Sequence, residues 1–302
     1  MATVNKLGAA GATNGAGTLA AENKVFYERA LLKRLLPELH AYNDAQKSNL
    51  PANSGTTVNW RKFTSLAIPT AALSEGVTPD GKSLSVTAIT GEAKQYGDYV
   101  IISDLLAKAG MDKAMTEGAM LCGEQAAQLI DSVILKAMSD GATTVSLASG
   151  ETKLTSERVR KVVLQLKNKN ARRFPDGYYH AIISPAQAFE LMGEKDSGWI
   201  DAAKYGSIKK LLKGELGELH GVRFMESTNV DKTAFIYGAD SYGVVDMEGG
   251  AGKPAIITKE FGSAGVDDPL NQRASVGWKN LFVAKVLDAD AIYKVTTSAD
   301  GT

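Results

Sequence analysis

The 302-residue sequence contains few of the residue types that build metal and redox sites. Its only cysteine is Cys122, so an internal disulfide and a thiolate zinc cluster are excluded. Its three histidines, His40, His180 and His220, are spaced too widely to form a recognisable metal motif. We therefore predict that the histidines are surface residues or hydrogen-bonded interior residues, and that no metal is bound.

The sequence also lacks an excess of charge and a long apolar run. Lysine plus arginine and aspartate plus glutamate number 34 each, which argues against a dedicated nucleic-acid-binding protein with a basic surface. No apolar run approaches the roughly 20 residues of a membrane span, and the first residues do not resemble a secretion signal. The composition, 44% hydrophobic and 23% charged, is typical of a folded globular protein.

One stretch does match a catalytic motif. GVTPDGKS, from Gly76 to Ser83, fits the phosphate-loop pattern G-x-x-x-x-G-K-S. A working phosphate loop follows a buried strand and opens a helix, whose N-terminal amides bind phosphate together with the lysine, here Lys82. Pro69 interrupts the preceding residues, and the following residues alternate like a strand. We predict an exposed hairpin turn, with a phosphate-loop hydrolase as the least favoured alternative.

The other candidate catalytic patterns fail on context. GADSYG, residues 238–243, resembles the G-x-S-x-G elbow of hydrolases only loosely, and GATNGAG, residues 11–17, lacks the strand and final glycine of a dinucleotide fingerprint. The remaining charged pairs are predicted to be turn or solvated surface residues: Asp267 and Asp268, Glu215 and Glu218, Arg172 and Arg173, Lys209 and Lys210. We therefore predict no catalytic residue, no cofactor and a protein that is not an enzyme.

The N-terminal region divides into two predicted segments. Residues 1–22 are rich in glycine, alanine, threonine and asparagine, which favours a flexible arm. Apolar residues then recur at helical spacing from Asn23 to Leu36, and Pro37 interrupts them, so a kinked helical connector follows.

Strands and then a long helix are predicted next. Between Leu50 and Asp98, alternating runs separated by proline, glycine and serine predict strands, and the central part has too few large apolar residues for a core of its own. We therefore predict a long hairpin that extends from the body. From Ser103 to Met138, apolar residues three and four apart, Cys122 among them, predict a long helix that Gly110 can interrupt.

The remaining sequence mixes helices and strands. LTSERVRKVVLQLKNKN predicts an amphipathic helix capped by Thr155 or Ser156, and YYHAIISP predicts a buried strand followed by a helix that starts at Ser184 and Pro185. Glycine-rich turns alternate with short strands from there to the end. The class indicated by this order is α+β.

This order of segments, with three local stretches, resembles the major capsid proteins of tailed bacteriophages, which share the HK-type shell fold. GELHGVRFMES, Gly217 to Ser227, resembles the turn and strand of the family's axial domain, and SPAQAFELM, Ser184 to Met192, resembles its axial helix. The closing stretch from Asp268 to Val295 resembles the family's terminal strands. Its matching residues are Asp268, Pro269, Gln272, Gly277, Trp278, Lys279 and Ala291.

The resemblance implies an α+β, HK-type phage capsid fold with an N-terminal arm, an extended β-hairpin loop, a long spine helix in a peripheral domain, and an axial domain. The implied segments are the arm, 1–22; the helical connector, 23–47; the extended loop, 48–98; the peripheral domain, 99–174 and 266–302; and the axial domain, 175–265.

The implied function is that of a structural subunit. Pentamers and hexamers of the chain would build the icosahedral head of a virion around double-stranded DNA, with non-specific DNA contacts, after assembly in the host cytoplasm. No long charged helical segment precedes the arm, so separate scaffolding, portal and decoration proteins are expected partners, and no membrane is involved. The main alternative is an encapsulin-type compartment, which has the same fold and encloses protein cargo.

Covalent cross-links between subunits, as found in some relatives, stay open at this point. Candidate lysines are Lys62, Lys82 and Lys94, and candidate asparagines are Asn271 and Asn280.

Overall fold

The computed structural model describes residues 40–51, 55–70, 72, 75–76, 78, 80–109, 114–145, 152–193, 200–201, 215–247, 254–263 and 267–297. The helices among them are α1, His40–Asn43; α2, Asp104–Ala109; α3, Ala114–Gly141; α4, Ser156–Asn168; and α5, Pro185–Gly193. The predicted arm and the helix predicted from Asn23 to Leu36 lie outside the described residues.

The strands in these ranges confirm the α+β prediction. They are β1, Gln46–Leu50; β2, Thr57–Phe63; β3, Val86–Glu92; β4, Lys94–Ser103; β5, Thr143–Val145; β6, Tyr179–Ile183; β7, Ile200–Asp201; β8, Glu215–Leu219; β9, Val222–Glu226; β10, Thr233–Tyr237; β11, Tyr242–Met247; β12, Ala255–Lys259; β13, Arg273–Val286; and β14, Ile292–Thr296.

A seven-stranded sheet has the strand order β5-β14-β10-β6-β9-β8-β7. All five residues of β6 are buried, because helices or strands cover both faces of the sheet there. Tyr179, Ala181 and Ile183 face a core formed with α4 and α5. Ile182 faces a second core formed with α3. A strand that is covered on both faces has an almost continuous apolar sequence, and this explains the run YYHAII.

A five-stranded sheet is organised around β13, the longest strand that the structure describes. One edge of β13 pairs with β4 along residues 273–282. The other edge pairs first with β12, residues 275–279, and then with β11, residues 282–286. Strand β1 adds to β11 in parallel. Both faces of β13 carry buried apolar residues, as predicted: Trp278 and Phe282 belong to the core with α3, and Val283 to a smaller cluster on the other face.

Helices α2, Asp104–Ala109, and α3, Ala114–Gly141, occupy the range predicted as a long helix. Residues 110–113, where Gly110 was predicted to allow an interruption, lie outside the described ranges. Helix α3 has 28 residues and is about 42 Å long. It ends at Gly141, beyond the end predicted at Met138.

The two predicted helix starts differ in their caps. Thr155 is the N-cap of α4, but its side chain makes no capping hydrogen bond, and Ser156 instead contacts His220. The prediction of a side-chain cap was wrong there. At α5, Gln187 N donates to Ser184 Oγ at 3.4 Å and Ser184 N donates to Gln187 Oε1 at 3.1 Å, which is a reciprocal capping box.

The sheets take their strands from more than one predicted segment. Strands β11 and β12 lie between residues 175 and 265, yet they pair within the sheet of β4 and β13. Strands β5 and β14 come from the ranges 99–174 and 266–302, yet they join the seven-stranded sheet. The segment boundaries along the chain therefore stay a prediction.

Candidate functional site

The phosphate-loop-like stretch lies in the connection between the paired strands β2 and β3. Residues 80–85 have no regular structure and lead into strand β3 at Val86, so no helix begins in the described part of this stretch. Lys82 Nζ donates to the carbonyl oxygen of Ala67 at 3.2 Å, across the loop. Because a phosphate loop needs helix N-terminal amides beside its lysine, this geometry does not provide a nucleotide site. Val77 and Pro79 lie outside the described residues.

The hairpin of β2 and β3 is anchored at its base. Its strands pair from Thr57 with Glu92 to Phe63 with Val86. Trp60 packs against the cluster that contains Val245 and Val283, and Lys62 forms an ion pair with Asp288 at the body of the subunit. These contacts fix the direction in which the hairpin leaves the body.

The outer part of the hairpin exposes apolar side chains, which we call the hairpin apolar surface. Its members, with their exposed fractions, are Phe63 63%, Leu66 55%, Ile68 85%, Leu84 70% and Val86 45%. Single exposed apolar residues are ordinary, but a group of them on one extended element is typical of a protein interaction site. Among the residues that the structure describes, none covers these side chains to the point of burial.

The three histidines have different surroundings. The side chain of His40 lies outside the described set. His220 is exposed in the turn between β8 and β9, and its Nε2 lies 2.8 Å from Ser156 Oγ. His180 is buried and hydrogen-bonded, in agreement with the prediction for an interior histidine. Among the described residues, no group of three or more histidine, cysteine, aspartate or glutamate side chains could hold a metal ion.

His180 lies at the centre of a polar group, which we call the His180 cluster: Asp44, Asp176, His180, Arg223 and Tyr237. His180, Arg223 and Tyr237 are buried, whereas Asp44 is half-buried and Asp176 is exposed. The two ring nitrogens of His180 lie 2.7 Å from Asp44 Oδ2 and 3.0 Å from Asp176 Oδ2. Tyr237 donates its hydroxyl to Asp44 at 2.9 Å, and Arg223 Nη1 donates to Asp176 at 2.9 Å. The imidazole ring also stacks on Phe174, with the ring centroids 3.9 Å apart.

The surroundings of the His180 cluster shift two pKa values. Burial lowers the pKa of His180, but the hydrogen bonds and charges of Asp44 and Asp176 outweigh burial, so the pKa is raised above its ordinary value. Burial and the negative charge of Asp44 raise the pKa of Tyr237 well above its ordinary value. Tyr237 is therefore a proton donor throughout the physiological range.

Cys122 is a core residue, as its place in the apolar pattern predicts. It is 3% exposed on α3, and its Sγ lies 3.8 Å from the carbonyl oxygen of Val276. Burial, together with the negative charge of Asp98, raises the pKa of the thiol, which disfavours the reactive thiolate.

The other singled-out residues have structural surroundings. Ser241 is buried, and its hydroxyl has no hydrogen-bond partner in the described ranges, so it is not part of a Ser-His pair. Asp268 Oδ2 accepts the backbone N–H of Arg273 at 2.7 Å, as expected of a turn carboxylate. Arg172 pairs with Asp240 at 3.0 Å on the surface, and the side chain of Glu218 is half-buried in β8. Lys209, Lys210, residues 11–17 and the Glu215 side chain lie outside the description.

The candidate cross-linking residues differ in their surroundings. Asn271 is exposed in a turn, whereas Asn280 is 5% exposed within β13. Lys62 is paired with Asp288, Lys82 contacts Ala67, and Lys94 begins strand β4. Burial of Asn280 leaves Asn271 as the accessible asparagine of the two, and cross-linking stays a prediction.

The sequence alone gave no sign of the His180 cluster. Asp44, Asp176, Arg223 and Tyr237 are 136, 4, 43 and 57 residues away from His180 along the chain. They meet because β6 pairs with both β9 and β10 while α1 packs beside them.

None of the helices in the described ranges is long and apolar enough to cross a membrane.

Comparison with known proteins identifies related families and folds. The model of a family described as phage capsid protein matches residues 86–295. The capsid of Ralstonia phage GP4 superimposes with a TM-score of 0.71 at 14% identity, over 85% of this chain and 88% of that chain. The mature capsid of bacteriophage PhiM1 gives 0.60 at 12% identity, over 96% and 91%.

A virus-like particle from Pyrococcus furiosus also superimposes, with a TM-score of 0.56 at 14% identity, over 90% of this chain and 98% of that chain. No curated protein matches the sequence. At such low identities these likenesses establish the fold, whereas the family match rests on the sequence itself.

Proposed function

The chain belongs to the phage capsid protein family, and from this premise we propose that many copies of it form the icosahedral head shell around double-stranded phage DNA. The observation that carries the proposal is the family match over residues 86–295, together with the HK-type fold. The protein is a structural shell subunit of the virion and not an enzyme. It associates with copies of itself, and we propose pentamers and hexamers as the units of association.

The hairpin apolar surface supports a specific contact in this shell. We propose that a neighbouring copy of the chain covers Ile68 and the other apolar side chains of the outer hairpin. Covering a fully exposed aliphatic side chain contributes about 1.5 to 3 kcal/mol, and the contribution is repeated in every copy. The anchored base of the hairpin supports the proposal, because Trp60 and Lys62 keep the hairpin in one orientation.

The segment boundaries predicted from the sequence are retained as part of the proposal. Residues 48–98 would form the extended loop, 99–174 and 266–302 the peripheral domain with α3 as its spine, and 175–265 the axial domain around the symmetry axes. The arm, 1–22, and the connector, 23–47, would contribute contacts between subunits. Deletion of residues 1–22 should lower the yield of particles while the subunits stay folded.

The proposed partners follow from charge and from the fold. The equal numbers of acidic and basic residues, 34 each, support weak, non-specific contact with packaged DNA, because strong phosphate binding would hinder DNA release. We propose that scaffolding, portal and decoration functions come from other chains, and that assembly takes place in the host cytoplasm.

The test compares particles formed by the wild type, Ile68→Asp and Ile68→Val in a host that carries the other head genes. Ile68 is 85% exposed in the subunit, so either change should leave the folding of the subunit intact. Negative-stain microscopy should show closed particles for the wild type and Ile68→Val, with DNA protected from nuclease. The Ile68→Asp subunits should stay unassembled, because covering a carboxylate with an apolar neighbour is costly.

Two results would contradict the proposal in different ways. Closed wild-type particles that contain a protein cargo and no DNA would indicate the encapsulin-type compartment. Normal particles from Ile68→Asp would show that the hairpin apolar surface is not covered in the shell.

A further inference from the structure

Residues 40–50, which we call the connector foot, are fastened to the subunit at three places. The backbone N–H of Ala41 donates to Asp131 Oδ1 at 3.1 Å, and the hydroxyl of Tyr242 donates to the Ala41 carbonyl at 2.6 Å. Asp44 contacts His180 and Tyr237. Strand β1 then pairs in parallel with β11. The hydrogen bond from Tyr242 does not change between pH 6 and pH 9, since burial raises the pKa of Tyr242 well above its ordinary value.

The contacts of His180 require a particular protonation state. A neutral imidazole has one N–H and one acceptor nitrogen, whereas an imidazolium donates from both nitrogens. Both ring nitrogens of His180 lie within hydrogen-bond distance of carboxylate oxygens. Each of these carboxylates accepts a further donor, from Tyr237 or Arg223, as an ionised carboxylate does. The arrangement is therefore complete only when His180 is protonated.

The charges of the cluster also balance only in that state. With His180 protonated, the two positive groups, His180 and Arg223, match the two negative groups, Asp44 and Asp176. His180 and Arg223 are 4% and 10% exposed in their side chains, so a net charge here is poorly solvated. Further titratable groups adjoin the cluster: Tyr242 lies behind Tyr237, Tyr178 lies beside Arg223, and Glu218 is the cross-strand partner of Arg223. Glu218 is a further carboxylate, which also favours a positive charge on His180.

We propose that His180 is a pH-sensitive fastening for the connector foot: its protonated ring joins Asp44 to the seven-stranded sheet, and loss of the proton loosens residues 40–50. Neither the family assignment nor the shell function enters this argument. The protonation state of His180 would therefore set how firmly residues 40–50, and with them the N-terminal segment that precedes them, are held to the subunit.

The direction of the pH dependence follows from linkage. The pKa of His180 is raised above its ordinary value of 6.5 by its two carboxylate partners. The stabilisation is therefore fully present below about pH 6.5 and is lost as the pH rises through the raised value. Only the part of this shift that comes from Asp44 is lost with the foot, and each pKa unit of that part corresponds to about a tenfold change in the equilibrium between the fastened and the loosened foot.

The test measures amide hydrogen exchange of residues 40–50 in the full chain at pH 6 and pH 9, corrected for the intrinsic pH dependence of exchange. The wild type should lose protection at least severalfold at pH 9. His180→Gln and Asp44→Asn should have low protection at both values, with little pH dependence. His220→Asn is the matched control, because His220 is exposed and contacts Ser156 of α4, and it should behave like the wild type.

A second measurement separates this role from simple packing. Exchange of the imidazole carbon-bound hydrogen, followed by mass spectrometry, reports the pKa of each histidine, and Asp44→Asn should lower that of His180 but not that of His220. If protection of the foot in the wild type is the same at pH 6 and pH 9, or if His180 titrates at or below its ordinary value, the proposal is wrong. If His180→Gln fails to fold, Asp44→Asn and the pH profile of the wild type still show whether the proposal is right.

Discussion

Replacement of Trp278 by alanine should destabilise the subunit severely, because the side chain lies at the junction of strand β13 and helix α3. Trp278 is 3% exposed and belongs to the largest apolar core. Its Nε1 donates to Gln125 Oε1 at 3.0 Å, and Gln125 in turn donates to Asp98 at 2.7 Å. The change would therefore remove a large apolar volume and the N–H that donates to Gln125, a residue that is itself exposed.

The size of the effect can be worked out from these contacts. Tryptophan to alanine in a core costs about 3 to 5 kcal/mol, of which the hydrogen bond to Gln125 accounts for about 1 kcal/mol. A domain is stabilised by roughly 5 to 15 kcal/mol in total, so Trp278→Ala should leave many subunits unfolded. Trp278→Phe keeps most of the packing and should cost less.

The assay is urea unfolding of dissociated subunits, followed by circular dichroism, because assembly would add to the apparent stability. With a slope of about 3 kcal/mol per molar urea, the midpoint should fall by about 1 to 2 M for Trp278→Ala. Lys279→Ala is the control, since the next side chain along β13 is exposed, and its midpoint should not change. An unchanged midpoint and normal particles from Trp278→Ala would refute the placement of this side chain in the core.

Two further predictions concern the loop and the central sheet. Lys82→Ala should assemble with a normal yield, because the hydrogen bond of Lys82 goes to the Ala67 carbonyl across an exposed loop. Micromolar ATP binding by calorimetry that disappears in this variant would contradict the assignment. Gly277→Ala should lower the urea midpoint, because a Cβ at this position would lie 2.6 Å from Tyr99 Cβ and 2.8 Å from the Asp98 carbonyl oxygen. Gly193→Ala is the control and should leave the midpoint unchanged, because a Cβ there would meet no atom within 4 Å. Equal midpoints for the two variants would argue against close pairing of β4 and β13.

Local sequence patterns were sufficient to predict whether most segments form a helix or a strand. The three- and four-residue spacing of apolar residues around Cys122 predicted the long helix, and α3 buries that face. The apolar run YYHAII predicted a buried strand, and all five residues of β6 are buried. The resemblance of the closing stretch to the family's terminal strands included Gly277 and Trp278, which lie in β13. Such patterns arise within a few residues, because side-chain direction repeats every 3.6 residues in a helix and every two in a strand.

The sequence was also sufficient to reject the chemical alternatives on context. The residues after Lys82 alternate like a strand, and β3 is the strand that forms there. The sequence patterns gave wrong predictions where a helix cap or a helix end depends on one rotamer or one neighbouring residue. Thr155 makes no side-chain cap at α4, and α3 continues to Gly141. The hydroxyl of Thr155 was expected to accept a backbone N–H, and only the folded geometry shows that it does not.

Only the tertiary structure decided which strands share a sheet and which polar groups meet. Strand β13 pairs with β4, which lies about 180 residues earlier in the chain, and with β11 and β12. Strand β14, although it is the strand that follows β13, belongs to the seven-stranded sheet. Asp44 reaches His180 across 136 residues for the same reason. An apolar period specifies that a face will be buried but not what will cover it, and a lone aspartate does not specify its partner. Both are determined by contacts between distant residues, whose free energy becomes available only when the whole chain has folded.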